Sequence, residues 1–277
     1  MEDSLQPAEA GRAGGSAVRL RGVSIEFPVA GGRYVAVDKT DLAIGANEFV
    51  AIVGPTGCGK STLLNASAGL LTPSTGEVLA FGTRLAGLNR AAGYLFQQDA
   101  VMPWKTAIDN VAIGLEVAGL ARREALDRAQ TWLKRVGLAA FADRYPHQLS
   151  GGQRKRVGLA QVLIRDPKIL LMDEPFGPLD AQTRQIMGNL LLDLWAGDRK
   201  AVLFVTHDLE EAIALADRVV IMSAGPRARI IGDHAIDLGR PRDAAEVRLA
   251  PRFHELHKAI WSQLRTEVMK AYGGEAA

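Results

Sequence analysis

Residues 48–62, EFVAIVGPTGCGKST, constrain the fold more than any other stretch of this 277-residue chain. EFVAIV is a short, almost continuous apolar run, the pattern of a strand buried within a mostly parallel sheet. It leads directly into GPTGCGKST (54–62). The following KSTLLNASAGL has helical spacing and ends near Gly69. Strand, glycine-rich loop, helix is the arrangement of a phosphate cradle, whereas a chance Gly-Lys-Ser turn lacks that context. Gly54, Gly57 and Gly59 let backbone N–H groups turn inward around phosphate oxygens, where a Cβ would obstruct. The helix presents its N-terminus, with unpaired donors and a positive dipole end, to the same anion. Pro55, Thr56, Cys58 and Thr62 complete the loop; Lys60 reaches the β- and γ-phosphates, and the Ser61 hydroxyl is placed for Mg²⁺. Cys58, beside a helix N-terminus and Lys60, is expected to favour the thiolate. Alkylation there should block nucleotide binding, and bound nucleotide should protect.

The rest of the chain alternates in the same manner. KILLM (168–172), AVLFV (201–205) and RVVIM (218–222) read as strands with helices between them, which argues for a doubly wound α/β sheet with right-handed crossovers. Val18, Leu20, Val23, Ile25 and Phe27 fall near period two, interrupted around Gly22, and predict an edge strand with a bulge. The stretch from about 105 to 165 reads as a mostly helical insertion, with Leu126, Ala129, Trp132, Leu133 and Val136 on one face. Phe253, Leu256, Ile260, Leu264 and Val268 form one stripe of a final helix. Residues 1–17 read as a disordered tail.

Two further motifs carry chemistry. In KILLMDEP (168–175) a buried strand delivers Asp173 and Glu174 at its C-terminal end, where open α/β sheets bind ligands. Asp173 fits a carboxylate holding Mg²⁺ and Glu174 fits a general base that polarises the attacking water; alone, the pair reads equally well as a solvated acidic turn. LSGGQ (149–153) begins just before another helix, with Ser150 90 positions after Lys60. Alone it would be a flexible turn. The RKR run that follows (154–156) reads as helix surface.

Phosphate loop, LSGGQ, apolar strand ending in Asp-Glu, then VTHD: this order resembles the ATP-binding cassette family over residues 18 to 225. The resemblance implies a P-loop NTPase core with a mostly parallel sheet, an N-terminal antiparallel β region, and a helical subdomain (about 100–165) carrying the signature. Residues 18–250 would form the ATPase domain, and 251–277 a C-terminal helix and tail. It implies that ATP and Mg²⁺ are bound, with Gln97 touching the metal and the water; Gln98 is the second choice. Ser150, Gly151, Gly152 and Gln153 would close on the γ-phosphate held by a second copy of the chain, with Asp180 in the D-loop and His207 as the switch histidine. Phe27 is similar in position to the aromatic that stacks on adenine, with Tyr34 as runner-up. Gln161 departs from the family's usual arginine.

Composition narrows the role. A net charge of +2, from 33 basic and 31 acidic residues, argues against a nucleic-acid binder working by a strong overall field. A single cysteine rules out an intrachain disulfide. No uncharged apolar run approaches the ~18 residues needed to span a bilayer. A P-loop kinase or GTPase has no use for LSGGQ. A soluble cassette acting on DNA or ribosomes needs a long coiled-coil insertion or a tandem cassette. That leaves the ATPase subunit of a membrane importer. FQQDAVMPW, PHQLSGG, HDLEEAIALADRVVIM and GRPRD resemble the nitrate/sulfonate/taurine subfamily. This likeness implies a cytoplasmic-face peripheral subunit of the bacterial inner membrane. Its partners would be a second copy, an integral membrane permease dimer and, indirectly, a periplasmic solute-binding protein.

Overall fold

The four inner strands of the central sheet are apolar on both faces because both faces are covered. In the computed structural model, which describes residues 15–273, β3 (Phe49–Val53) sends Phe49, Ala51 and Val53 into one core and Val50 and Ile52 into another. The other apolar runs behave alike: β7 (Ile169–Asp173), β8 (Ala201–Val205) and β9 (Arg218–Met222) each divide their side chains between the same two cores. A fully apolar strand therefore reports two buried faces rather than an absence of pattern.

The remaining elements are β1 (Ser16–Val29), β2 (Gly32–Gly45), α1 (Lys60–Ala68), β4 (Thr75–Ala80), β5 (Thr83–Arg84), β6 (Ala92–Leu95), α2 (Ala107–Val117), α3 (Arg122–Arg135), α4 (Gly151–Leu163), α5 (Ala181–Gly197), α6 (Leu209–Leu215), β10 (Ile230–Ala235) and α7 (Pro251–Gly273). The large sheet runs β10-β9-β3-β8-β7-β6, parallel except for β10 at its edge. The smaller sheet, β2-β1-β4-β5, is antiparallel throughout. On one face of the large sheet lie α5, α6 and α7, with Trp195 edge-on to Phe49 at 5.8 Å. On the other, Leu63 and Leu64 of α1 pack with Ile25 and Ile44 of the small sheet.

β1 is not the edge strand its pattern suggested. It pairs with β2 on one side and β4 on the other. Period-two alternation reports one buried face and is silent about which backbone edges are bonded. The bulge is present: the register slips between Leu20 and Val23, around Gly22 at φ 54°. The strand also starts at Ser16, inside the stretch expected to be tail; residues 1–14 and 274–277 lie outside the described residues.

α2, α3 and α4 enclose a third core with Val111, Leu133, Leu149 and Val157. α4 belongs to two cores at once: Val157 and Ala160 face the helical segment, while Leu159 and Leu163 face the large sheet. The last helix buries Phe253, Leu256, Ile260 and Leu264. Near its end Glu267 accepts the Ala224 N–H at 2.8 Å, tying α7 to the loop after β9.

α1 stops at Gly69, whose φ of 70° is left-handed and whose Cβ, if present, would stand 1.9 Å from the Gly87 carbonyl oxygen. Replacing Gly69 by Ala should therefore lower stability by about 2 kcal/mol or more. The same change at Gly197, with nothing within 4 Å of the new methyl, should be neutral or mildly stabilising. Urea unfolding midpoints of the two variants check both.

Candidate active site

In a parallel sheet all strands point the same way, so the segments leaving β3, β6, β7 and β8 gather at one edge. That edge collects residues 54–59, Gln97, Asp173 with Glu174, and His207. Contacts join them. Ser61 Oγ donates to Asp173 Oδ1 at 2.8 Å. Gln97 Nε2 donates to Glu174 Oε2 at 3.3 Å, and His207 Nδ1 lies 3.1 Å from the same oxygen. With Glu174 ionised, Nδ1 carries the proton. Among the described residues no protein donor meets the other carboxylate oxygen, which is left for water.

The phosphate loop is shaped by its backbone. Gly57 and Gly59 have φ of 77° and 96°. Gly54 serves differently: a Cβ there would come 2.8 Å from Cys58 Sγ. Lys60 is buried, and its ammonium donates to the Gly54 and Pro55 carbonyls at 2.8 and 2.9 Å. Those bonds curl the loop around its own lysine and leave capacity in the ammonium for an anion. Asp173 is half-buried. Burial and the neighbouring Glu174 charge push its carboxyl above the usual range, against the pull of the Ser61 and Tyr94 hydroxyls. Glu174 itself sits at φ 41°, a costly conformation for a side chain with a Cβ, fixed by its N–H donating to the Val205 carbonyl at 2.9 Å.

The signature residues form a separate cluster. Ser150 caps α4: its Oγ accepts the Gln153 N–H at 3.2 Å, and Gln153 Oε1 accepts the Ser150 N–H at 2.8 Å, a reciprocal capping box. Gly152 lets the helix approach α5, since a Cβ there would meet Thr183 Cγ2 at 2.6 Å. Asp180 caps α5 through the Thr183 N–H at 2.9 Å, and these Thr183 bonds hold its carboxyl below the ordinary range. Among the described residues Ser150 and Gln153 make no bond to residues 54–62 of their own chain. Phe27 and Tyr34 stand opposite each other on the β1–β2 hairpin, both exposed.

The profile of the ABC transporter family matches residues 37–177. An uncharacterized ABC transporter ATP-binding protein of Methanocaldococcus jannaschii is 46% identical over 88% of this chain and 90% of its own length. The chain belongs to the ABC transporter family. A taurine import ATP-binding protein TauB of Burkholderia thailandensis is 43% identical over 88% of this chain and 95% of its own. Among solved structures, a dimeric ATP-binding cassette in a post-hydrolysis state with ADP and Pi superposes with a TM-score of 0.71 at 31% identity, covering 80% of this chain and all of the other. The cassette fold, ATP binding and ATPase activity follow from this membership.

Within the cassette, several contributors carried no sequence signal of their own. Tyr94 on β6 donates to Asn65 at 2.8 Å and approaches Asp173 at 3.4 Å, and burial with the Asp173 charge pushes its hydroxyl pKa up. Arg184 bridges the Leu179 carbonyl at 3.1 Å and Asp208 at 2.9 Å, joining the segments around Asp180 and His207. Behind His207, Thr206 Oγ1 donates to buried Glu211 at 2.5 Å, and burial pushes that carboxyl up to about 7. The inward face of α6 hints at Glu211, since its neighbours at 212 to 215 are all apolar.

Cys58 reverses its expectation. It is 1% exposed, and burial pushes its thiol up despite Lys60, whose ammonium is 4.0 Å from Sγ. The cation still pulls the thiol down, but loss of water around the thiolate is the larger effect here. Iodoacetamide should therefore label the native cassette slowly at pH 8 and at the same rate with or without ATP, and label it fully once unfolded. Peptide mass spectrometry over a time course checks this.

Proposed function

We propose that the chain is the ATP-hydrolysing subunit of an importer, working as a head-to-tail pair on the cytoplasmic face of a bacterial inner membrane. One observation carries the hydrolytic part. Glu174, at the end of β7 and next to the loop that cradles phosphate, has one oxygen held by Gln97 and His207 and the other open to water. A carboxylate fixed in this manner orients a water and accepts its proton as it attacks the γ-phosphate. Loop amides and Lys60 hold the β- and γ-phosphates, and His207 senses the γ-phosphate.

Ser61, Asp173 and Gln97 fit a divalent cation. Asp173 carries an unfavourable burial and a like-charged neighbour, which a cation offsets, and the Ser61 oxygen already stands 2.8 Å from it. Among the described residues there is no cluster of three or more His, Cys, Asp or Glu, in keeping with a site completed by phosphate oxygens and water. Mg²⁺ there would neutralise charge developing on the phosphates.

One chain supplies charge stabilisation to one side of the γ-phosphate only. Among the described residues Ser150, Gly151, Gly152 and Gln153 make no bond to their own phosphate loop, which leaves them for a second copy. Among the described residues no helix is long and apolar enough to cross a membrane, so a separate permease dimer would provide the path. The segment AVMPW (100–104) would line the groove that receives it, and a periplasmic binding protein would deliver the solute. Relatives named for taurine import, such as that of Burkholderia thailandensis, support a small solute bearing an oxyanion group, such as taurine, another sulfonate or nitrate, as the cargo.

Glu174→Gln is expected to abolish turnover while trapping an ATP-bound dimer, seen as a shift in gel-filtration elution. Continued hydrolysis with monomeric elution would remove Glu174 from the role. Phe27→Ala should weaken ATP binding more than Tyr34→Ala, measured by titration calorimetry; the reverse order would move adenine to Tyr34. Growth of a strain lacking the gene on taurine, alkanesulfonates or nitrate as single sulfur or nitrogen sources, rescued only by the unmutated gene, would name the cargo.

A further inference from the structure

Three charged side chains join the Gln97–Asp99 turn to the first turn of α4. Lys155, read from the sequence as helix surface, is buried, with its side chain 5% exposed. Its ammonium lies 3.0 Å from Asp99 Oδ1 and donates to the Gln97 carbonyl at 2.6 Å. Arg154 Nε donates to the other Asp99 oxygen at 2.9 Å, and Arg154 Nη1 donates to the Leu149 carbonyl at 2.6 Å. A buried ammonium persists only when fully paired, and among the described residues Asp99 is the one carboxylate ion-paired to either cation.

Each end of this cluster meets the site. Gln97 reaches Glu174 through its side-chain amide. Leu149 immediately precedes Ser150, whose amide and hydroxyl close the cap of α4. Between the two ends, Asp99, Arg154 and Lys155 line a cavity of about 200 Å³ together with Phe96, Val101 and Gln161. We propose that Asp99 is a positioning residue: gripped by Arg154 and Lys155, it locks the Gln97 turn and the Leu149–Ser150 turn into one unit. The amide that orients Glu174 and the signature offered to a second copy then move together. This rests on the reading of Glu174 as the base.

Among the described residues Asp99 bonds neither to residues 54–62 nor to Glu174, so its loss should act on rate and not on nucleotide affinity. In the full-length cassette, Asp99→Asn should lower kcat about tenfold or more while KM for ATP moves by less than about twofold. In a Glu174→Gln background at saturating ATP it should raise the protein concentration for half-maximal dimerisation about fivefold, since the signature turn is no longer tied to the Gln97 turn. Asp99→Glu, which keeps the charge, should recover part of both. Thermal midpoints are recorded for each variant. Should Asp99→Asn not fold, Lys155→Gln, which keeps a donor for the Gln97 carbonyl but not the charge, replaces it with the same expected split. A normal kcat in Asp99→Asn beside an inactive Glu174→Gln overturns the positioning role alone, whereas normal turnover in Glu174→Gln overturns the underlying reading. Loss of ATP affinity and thermal midpoint in step with kcat, or Asp99→Glu no better than Asn, would reduce the cluster to packing and also overturn the proposal.

Discussion

Burial of the parallel sheet on both faces is the constraint on which the other features rest. Strands whose every side chain packs into one of two cores have no face on which to display chemistry. Only their ends remain, and parallel direction puts all the carboxyl ends on one edge. The functional groups accordingly sit in the first residue or two after a strand: Gly54 after β3, Gln97 after β6, Asp173 and Glu174 at the end of β7, His207 after β8. Residues more than a hundred positions apart become hydrogen-bonded neighbours through strand order alone, as with Ser61 and Asp173.

At that edge the chain accepts local costs. Two carboxylates stand side by side, one of them half-buried and pushed up in pKa, and the second has a left-handed backbone. A lysine is turned back onto the carbonyls of its own loop. None of these arrangements helps the fold by itself. The half-buried Asp173 and the buried Lys60 are the groups among these whose cost a counter-charge would offset.

Much of this was legible from residues in order. EFVAIV, AVLFV and RVVIM match strands to within a residue, because doubly buried strands leave unbroken apolar runs. The gathering of the phosphate loop, Gln97, the Asp-Glu pair and His207 follows from motif order and strand polarity. What could not be read depends on partners remote in sequence. β1 is bonded on both edges, although its own residues show only one buried face. Cys58 has the cation its neighbourhood promised, but the fold buries it in the core it shares with Met222, and desolvation prevails. Lys155 looked like helix surface until Asp99 and the Gln97 carbonyl, brought from 55 or more positions away, surrounded it. Charge in a sequence marks a residue as polar; only the fold determines whether water or another residue answers it.

The bond between Glu267 and the Ala224 amide ties the last helix to the segment that runs beside residues 57 and 58. Gly225, the next residue, lies so close to the phosphate loop that a methyl there would stand 3.4 Å from the Tyr34 hydroxyl and 3.7 Å from the Gly57 carbonyl. A protein fused to this end, or a trim before residue 267, thus works on the loop beside the phosphate cradle by way of one carboxylate. An engineer seeking a handle on nucleotide grip, remote from every motif, would find it at the far end of the chain.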